Sequence, residues 1–405
     1  MGCCFRDNKN GKINYYNFVT PLKNEDNSKI MIGNINISNN DEKKTQTLFI
    51  DSNNEEKEKN VKETKPLILF TNNDNNYIIP ILQCLTYTKE LTKYFLNEYD
   101  YYYNYNNKIS NEYYYLSINL WKEKNISYPY HPAILKSFIY NRNSFFNNIQ
   151  LNNGKDLLKY LFGNIHSELN IINNDEFNIQ YRHSFDHLNK KNTFQIFYNY
   201  FLDNYNSIIS DLFFGIKEIK FKCMLCGGIN FKYEIFSFLE FHLKDIISDF
   251  GIEPNTALNN ISKIDLYECF INNNMKKSLT TNKFKCTKCK YNEYFEFSTS
   301  LYSLPKYLIL FLNNEKEDKY YVNFPEKLDL INYLIFEEYG YKFDLYAVIS
   351  KNITNSSFQN NYVTYCRNLV NYKIWYKYDN NGVKQCYNND YLFSLPYCLF
   401  YKAKE

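Results

Sequence analysis

Four cysteines in two C-x-x-C pairs are the residues of this sequence whose spacing most clearly suggests chemistry. Cys223 and Cys226 stand in "KCMLC", and Cys286 and Cys289 stand in "KCTKC". The turn inside each C-x-x-C lets two thiolates converge on one tetrahedral Zn²⁺, and two such turns complete the coordination. Because four thiolates leave no open position, the sequence predicts a structural zinc ion. The alternative is four buried free thiols.

The other cysteines of the central and C-terminal parts have no neighbour at metal-binding spacing. We interpret them as small apolar core residues: Cys84, Cys269, Cys366, Cys386 and Cys398. Two widely separated C-x-x-C pairs indicate metal binding rather than disulfides, which is typical of a reducing compartment. We therefore expect an intracellular protein.

A second candidate site lies in the stretch "NNDNNYIIPILQCL", where an asparagine run meets a helical pattern. Asn76 can act as an N-cap, because its side-chain oxygen can accept a hydrogen bond from a free N–H of the first turn. Pro80 is tolerated four residues later, because the N–H groups of a first turn have no partner within the helix. The pattern predicts that Asn76 caps a helix and does no chemistry.

The N-terminus, "MGCCFRDNK", carries a third candidate. Once Met1 is removed, Gly2 is a myristoylation site candidate, and Cys3 and Cys4 are palmitoylation candidates. Stable attachment needs two acyl signals, so this arrangement would hold the protein on a membrane at its cytoplasmic face. Arg6 replaces the Ser or Thr that the motif prefers, so the match is partial. The alternative is an ordinary chain start with two chance cysteines.

The composition indicates a globular protein with a substantial core. The chain has 405 residues, of which 44% are hydrophobic, and it contains 42 Tyr and 33 Phe. The balance of 47 basic and 44 acidic residues gives a net charge of +3 and no reason to expect nucleic acid as a partner. The apolar runs are too short to span a bilayer.

Residues 1–64 are polar and charge-mixed, which predicts a disordered tail, and residues 65–405 form the second, globular segment. Helical periodicity comes first, in "YIIPILQCLTYTKELTKYFL" and "NGKDLLKYLFGNIHSELN". Short alternating segments rich in Tyr, Ile and Val follow, from "IKEIKFKC" to "LPYCLFYK", and these are typical of strands. Helices followed by a sheet-rich half predict an α+β fold.

Several segments, taken in order, resemble the catalytic domain of the ubiquitin-specific proteases. "DNNYIIPILQCL" is similar to the family's "GNTCYMNSxLQCL", and "LNNGKDLLKYLFGNIHSELN" is similar to "QQDAxEFLxxLLDxLHEELN". "SLPKYLILFLNN", "VNFPEKLDL", "NYVTYCRN" and "WYKYDNNGV" resemble later motifs, so the likeness extends over about residues 65–403. It implies a papain-like right hand with a helical thumb, a β palm, and fingers that carry the four-cysteine zinc knuckle.

The resemblance also assigns the catalytic positions. The family's Cys–His–Asp/Asn triad hydrolyses the isopeptide bond after the last glycine of ubiquitin. In this sequence the nucleophile position is Asn76, the base position is Asn361 and the orienting acid is Asp379. A carboxamide can neither act as this nucleophile nor exchange a proton at physiological pH.

The loss of the triad does not depend on fine alignment. No cysteine lies between Cys4 and Cys84, and no histidine follows His242. We therefore predict a catalytically inactive homologue that binds ubiquitin or a ubiquitinated protein and serves as a scaffold for other partners. The alternatives are an active cysteine-type ubiquitin hydrolase with a displaced nucleophile and a structural subunit of a larger assembly.

Overall fold

The computed structural model describes most of the chain after residue 76. The described residues are 77–100, 106, 108–121, 135, 153–172, 190–252, 262–274, 277–280, 285–286, 288–291, 294–313, 320–335, 342–352, 361–379, 382–386 and 389–404. The predicted tail, the acylation candidates Gly2, Cys3 and Cys4, and Asn76 fall outside these residues. For Asn361 the structure describes only the backbone.

Eight α-helices can be described, and the first six precede the strands. In chain order they are α1 (Ile78–Thr86), α2 (Lys89–Lys93), α3 (Lys108–Trp121), α4 (Gly154–Leu169), α5 (Lys190–Asn204), α6 (Ile208–Phe213), α7 (Leu243–Phe250) and α8 (Leu266–Asn274). A π-helical turn, Tyr94–Glu98, extends α2. We call α1 to α6 the thumb. None of these helices is long and apolar enough to cross a lipid bilayer.

Fourteen described strands form three sheets. They are β1 (Gly215–Cys223), β2 (Ile229–Phe236), β3 (Leu239–His242), β4 (Ser262–Asp265), β5 (Lys277–Thr280), β6 (Tyr294–Ser303), β7 (Tyr307–Asn313), β8 (Tyr320–Asn323), β9 (Lys327–Asp329), β10 (Lys342–Asn352), β11 (Asn361–Arg367), β12 (Trp375–Asp379), β13 (Gly382–Cys386) and β14 (Leu395–Ala403). The eight-stranded sheet, the palm, has the order β13-β12-β11-β10-β14-β7-β3, with β9 paired to β10. The four-stranded sheet, the fingers, has the order β2-β1-β6-β5, and β4 pairs with β8.

The palm is buried on both faces, which explains the continuous apolar run of its strand β7. In β7, Tyr307, Ile309 and Phe311 point to the core shared with the thumb. Their neighbours Leu308, Leu310 and Leu312 point to a second core beneath α7 and α8. Because side chains alternate between faces, a strand covered on both sides reads as a continuous apolar run. "YLILFL" has this composition.

Helix α1 is the centre of the thumb–palm core. All nine of its residues are buried, as expected for a helix that is apolar on every face. It packs against α4 on one side and against β10 and β11 on the other. Burial of a large aliphatic side chain contributes about 1.5–3 kcal/mol, so α1 anchors the thumb to the palm.

The sequence-based division into helices followed by strands is confirmed, with two differences. The first predicted helix breaks at Thr88, whose backbone is extended. Thr88 Oγ1 lies 2.8 Å from Tyr346 Oη, and Thr92 Oγ1 donates to Thr86 O at 2.7 Å. The tertiary contact of Thr88 with Tyr346 and the local bond of Thr92 together override the helical preference of this segment. Helices α7 and α8, within the strand-rich half, were not anticipated.

Candidate functional site

The start of α1 lies towards the first residues of β11. Cys84, two turns into the helix, has Cys366 of β11 as a hydrogen-bonding neighbour. One turn earlier, Ile81 faces Gly154 of α4, where an added Cβ would lie 3.1 Å from Ile81 Cγ1 and 3.4 Å from Tyr397. The Tyr397 ring in turn lies 5.0 Å from that of Tyr362, the residue after Asn361. The C-terminal part of α1 therefore lies near the end of β11, and its N-terminal part lies towards the beginning of that strand.

The positions that the sequence assigns to a base and an acid lie on adjacent strands. The backbone of Asn361 begins β11, and Asp379 ends β12. The two strands are antiparallel with Thr364 opposite Tyr378, so the start of β11 and the end of β12 lie side by side at the same end of the palm strands. Asp379 is half-buried, and its carboxylate lies 3.5 Å from the Lys377 ammonium.

The neighbours of all three assigned positions meet in one core. Tyr77 follows Asn76 and is buried, Tyr362 follows Asn361, and Tyr378 precedes Asp379. All three tyrosines belong to the thumb–palm core. Tyr77 precedes α1 with helical dihedral angles and provides no side-chain cap. Since Asn76 lies outside the described residues, its capping role stays a prediction.

Neither histidine that the structure describes can serve as the base near the start of β11. His166 is buried in α4, where its Nδ1 lies 2.6 Å from Ser207 Oγ. Burial lowers the pKa of His166 to about 4. His242 lies on β3, five strands from β12 in the palm order, which corresponds to about 24 Å at about 4.8 Å per strand.

Cys84 cannot supply the nucleophile. It is completely buried inside α1. Burial raises the pKa of its thiol well above the usual range, and the neighbouring thiols Cys366 and Cys398 raise it further. A thiol that substrate cannot reach and that stays protonated does not act as a nucleophile. Cys84, Cys269, Cys366 and Cys398 are buried and Cys386 is half-buried, in agreement with their predicted role as filling residues.

The four cysteines of the fingers form a cluster with the dimensions of a zinc site. Their Sγ atoms lie within 4.8 Å of one another. The Sγ atoms of Cys223 and Cys289 are 3.7 Å apart, and those of Cys226 and Cys286 are 3.5 Å apart. A tetrahedral Zn²⁺ with Zn–S bonds of about 2.3 Å requires sulfur separations of about 3.8 Å. The two measured separations are close to this value, so the four thiols are able to hold a zinc ion.

The two halves of the cluster are built by equivalent turns. In the first, Gly227 N donates to Cys223 O and Cys223 N donates to Gly228 O, both at 2.9 Å. In the second, Lys290 N donates to Cys286 O at 2.9 Å and Cys286 N donates to Tyr291 O at 2.6 Å. The fourth residue after the first cysteine has positive φ in each turn, 68° for Gly227 and 63° for Lys290.

Backbone donors prepare part of this cluster for the thiolate state. Burial alone would raise the pKa of Cys286, but the N–H groups of Cys289 and Lys288 and nearby thiols lower it to about 7. The Tyr291 N–H lowers the pKa of Cys289, but burial and the neighbouring thiols raise it to about 12. Without a cation, neighbouring thiolates repel one another, so one thiol of a crowded set ionises easily and the thiol beside it stays protonated. A bound Zn²⁺ would draw the remaining protons off.

Ion pairs join the thumb to the palm. Lys155 Nζ of α4 lies 2.5 Å from Glu240 Oε1 of β3. Glu90 of α2 lies 2.7 Å from Lys402 Nζ and 3.4 Å from Lys306 Nζ. Burial opposes ionisation of Glu90, but the two ammonium groups lower its pKa overall. These ion pairs were not predicted from the sequence, because no local pattern marks two charges that lie far apart along the chain.

Comparison with known proteins decides the family. Residues 69–401 match the ubiquitin carboxyl-terminal hydrolase family. The chain belongs to this family. Ubiquitin carboxyl-terminal hydrolase Usp2 of Drosophila melanogaster is 23% identical over 336 residues, which are 80% of this chain and 33% of that protein. Ubiquitin carboxyl-terminal hydrolase nonstop of the same organism is 24% identical over 207 residues, 48% of this chain and 39% of that protein.

The solved structures support the same fold. The yeast SAGA DUBm with a substituted Sgf73 gives a TM-score of 0.56 at 17% identity, over 84% of this chain and 68% of that chain. The SAGA DUB module of Ubp8, Sgf11, Sus1 and Sgf73 bound to monoubiquitin gives 0.55 at 18% identity, over 84% and 69%. The expected α+β right-hand fold is confirmed, and its four-cysteine cluster lies in the fingers. The chain spans a third to two-fifths of the length of the first three curated relatives.

Proposed function

We propose that this ubiquitin carboxyl-terminal hydrolase homologue binds ubiquitin or a ubiquitinated protein without cleaving it. One observation carries the proposal: the chain has no cysteine between Cys4 and Cys84 and no histidine after His242. Loss of nucleophile and base together lowers the rate on the order of 10⁶-fold in other triads. The family assignment and the bound monoubiquitin of one structural neighbour support ubiquitin as the partner.

Several finer features belong to the same proposal. Asn76, Asn361 and Asp379 occupy the three catalytic positions, and the four finger cysteines hold a structural zinc ion. The protein is intracellular, and acylation at Gly2, Cys3 and Cys4 attaches it to the cytoplasmic face of a membrane. For the acylation, a Gly2→Ala chain that remained on membranes would contradict the assignment.

The binding experiment uses the full chain and monoubiquitin in isothermal titration calorimetry. We expect saturable binding together with no turnover of a fluorogenic ubiquitin substrate and no labelling by a ubiquitin probe with a C-terminal electrophile. Turnover or labelling would contradict inactivity and favour the alternative, an active hydrolase with a displaced nucleophile. Absence of binding at high concentration would remove ubiquitin from the proposal and leave only the scaffolding role.

A restoring variant tests the assigned positions directly. Asn76→Cys combined with Asn361→His places a thiol and an imidazole at the two positions, with Asp379 already present to orient the imidazole. We expect this variant to react with the electrophilic ubiquitin probe. Asn75→Cys with Asn361→His is the matched control, because it offers the same groups one residue out of place. Equal labelling of both variants, or of neither, would contradict the assignment.

A further inference from the structure

The end of the fingers that is farthest from the palm exposes a group of apolar side chains. Met224 and Leu225 stand between the two cysteines of the first turn and are 47% and 67% exposed. Ile229, at the start of β2, is 49% exposed, and Tyr294, at the start of β6, is 42% exposed. These four make up the finger tip patch. They account for four of the ten large apolar residues that are exposed in the described part of the chain.

The members of this patch are neighbours in space. Met224 N donates to Tyr294 O at 3.2 Å, which joins the first turn to β6. Ile229 lies opposite Lys222 in the β1–β2 register. Soluble proteins rarely expose adjoining large apolar side chains unless that surface binds something.

Lysines surround the patch. Lys222 precedes the first turn, and Lys285, Lys288 and Lys290 flank the cysteines of the second turn; all four are exposed. The two turns are in contact, since a Cβ added at Gly228 would lie 3.4 Å from Lys288 Cβ. The acidic residue of this region that the structure describes is Glu296, which pairs with Lys222 in the β1–β6 register. Glu293 precedes Tyr294 in the sequence, so the four lysines outnumber two carboxylates here and leave a local excess of positive charge in a chain whose net charge is only +3.

Lys290 occupies a backbone conformation that favours glycine. Its φ of 63° matches the 68° of Gly227 at the equivalent position of the first turn. A side chain in the left-handed region is strained relative to ordinary conformations, because its Cβ crowds the backbone. Glycine would fill this position without strain, as it does in the other turn, so a lysine here comes at a cost in stability.

We propose that the finger tip patch and its lysines dock the protein on an anionic lipid bilayer. Met224 and Leu225 enter the boundary between head groups and acyl chains, while the lysines contact lipid phosphates and carboxylates around them. Apolar insertion combined with electrostatic attraction is how peripheral segments bind membranes. Lysine stems pack along the apolar residues and keep their ammonium groups at head-group level.

The type of cation favours a lipid surface over an acidic protein partner. All the cations that the structure describes around the patch are lysines, which act as point charges. Recognition of specific protein carboxylates usually relies on the bidentate geometry of arginine. A diffuse anionic surface requires only positive charge close to it, and each nearby lysine strengthens binding.

Vesicle flotation with the full, unacylated chain loaded with zinc tests the proposal. One set of vesicles is phosphatidylcholine, and the other contains about one-third phosphatidylserine. We expect binding to the anionic vesicles that weakens with added salt. Lys285→Gln with Lys288→Gln should weaken it roughly five-fold for each lysine. Met224→Gln with Leu225→Gln should weaken it at least roughly ten-fold.

The control variant is Val370→Gln with Lys373→Gln, which removes one exposed apolar residue and one exposed lysine from the turn between β11 and β12. It should bind anionic vesicles as the unmodified chain does. Equal binding by the tip variants and the unmodified chain would overturn the proposal. Binding of polyglutamate by the protein without any binding of vesicles would also overturn the proposal, because it would indicate an acidic protein partner.

A second measurement keeps the apolar character of the tip and does not depend on loss of binding. Leu225→Trp places an indole on the exposed turn, away from the partly or fully buried Trp121 and Trp375. We expect its fluorescence to shift to shorter wavelength on anionic vesicles and to be quenched by brominated lipid. An unchanged spectrum while the protein is bound would place the contact elsewhere and overturn the proposal.

Discussion

Replacement of Glu168 should loosen helix α3 from helix α4. The Glu168 carboxylate lies at the end of α4 and binds the free N–H groups of the first turn of α3. Its Oε1 accepts from Lys108 N and Ile109 N, each at 3.1 Å, and its Oε2 accepts from Ser110 N at 2.8 Å. A side chain from one helix therefore serves as the N-terminal cap of another.

The cost of Glu168→Ala follows from these contacts. Loss of an N-cap costs about 1–2 kcal/mol, and loss of a negative charge from a helix N-terminus costs about 0.3–1 kcal/mol more. We expect the free energy of unfolding to fall by about 2 kcal/mol. Glu168→Gln should cost nearly as much, because the amide offers one acceptor oxygen and turns a donor towards at least one N–H group.

Urea unfolding followed by far-UV circular dichroism measures both variants. The matched control is Glu112→Gln on α3, whose carboxyl pKa is raised by burial, so that loss of its charge should be nearly neutral. A loss below about 0.5 kcal/mol for Glu168→Ala would refute the capping argument. So would a Gln variant as stable as the unmodified chain.

Three further predictions concern other parts of the fold. His166 has a pKa of about 4 in the folded chain and about 6.5 in the unfolded chain, so the unfolded chain binds a proton first on acidification. The free energy of unfolding should therefore fall by roughly 3 kcal/mol as the pH drops from 6.5 to 4. His166→Gln should flatten this pH dependence in unfolding titrations. Gly215→Ala should destabilise the protein by about 1–3 kcal/mol in thermal unfolding, because the new Cβ would lie 2.5 Å from Phe236 Cζ and 2.8 Å from Ser303 O, whereas Gly163→Ala, with open space around it, should not. Zinc removal by a chelator should abolish hydrogen-exchange protection at the tip ends of β1 and β6 and leave the palm strands protected. The reason is that structural zinc contributes about 10–16 kcal/mol to the folding of zinc-finger peptides. Unchanged protection throughout the chain would contradict a structural metal.

The parts of the fold that could be predicted from sequence are those with a local pattern. The strands of the palm and fingers show alternation or continuous apolar runs, and α4 shows a clear helical period. The two C-x-x-C turns identified a cluster whose sulfur distances fit zinc. In each case the residues that determine the structure are close together in the sequence.

The unpredicted parts depend on residues that are far apart in the sequence. The break after α1 follows from hydrogen bonds of threonines, one of them to Tyr346, which no local pattern records. The Lys155–Glu240 pair and the Glu168 cap likewise join helices to distant elements. Ion pairs and caps across elements require knowledge of the packing first.

Retention of Asp379 does not argue for retained catalysis. In an active triad an acid at the position assigned to Asp379 orients an imidazole. Here Lys377 lies 3.5 Å away on the same strand and is about one-third exposed, so the pair resembles ordinary surface ion pairs that contribute up to about 1 kcal/mol. A pair of this kind accounts for the carboxylate without a histidine. Activity in the restored Asn76→Cys, Asn361→His chain therefore requires that the new imidazole compete with Lys377 for Asp379, and Lys377→Gln added to that chain should increase its labelling by the electrophilic probe.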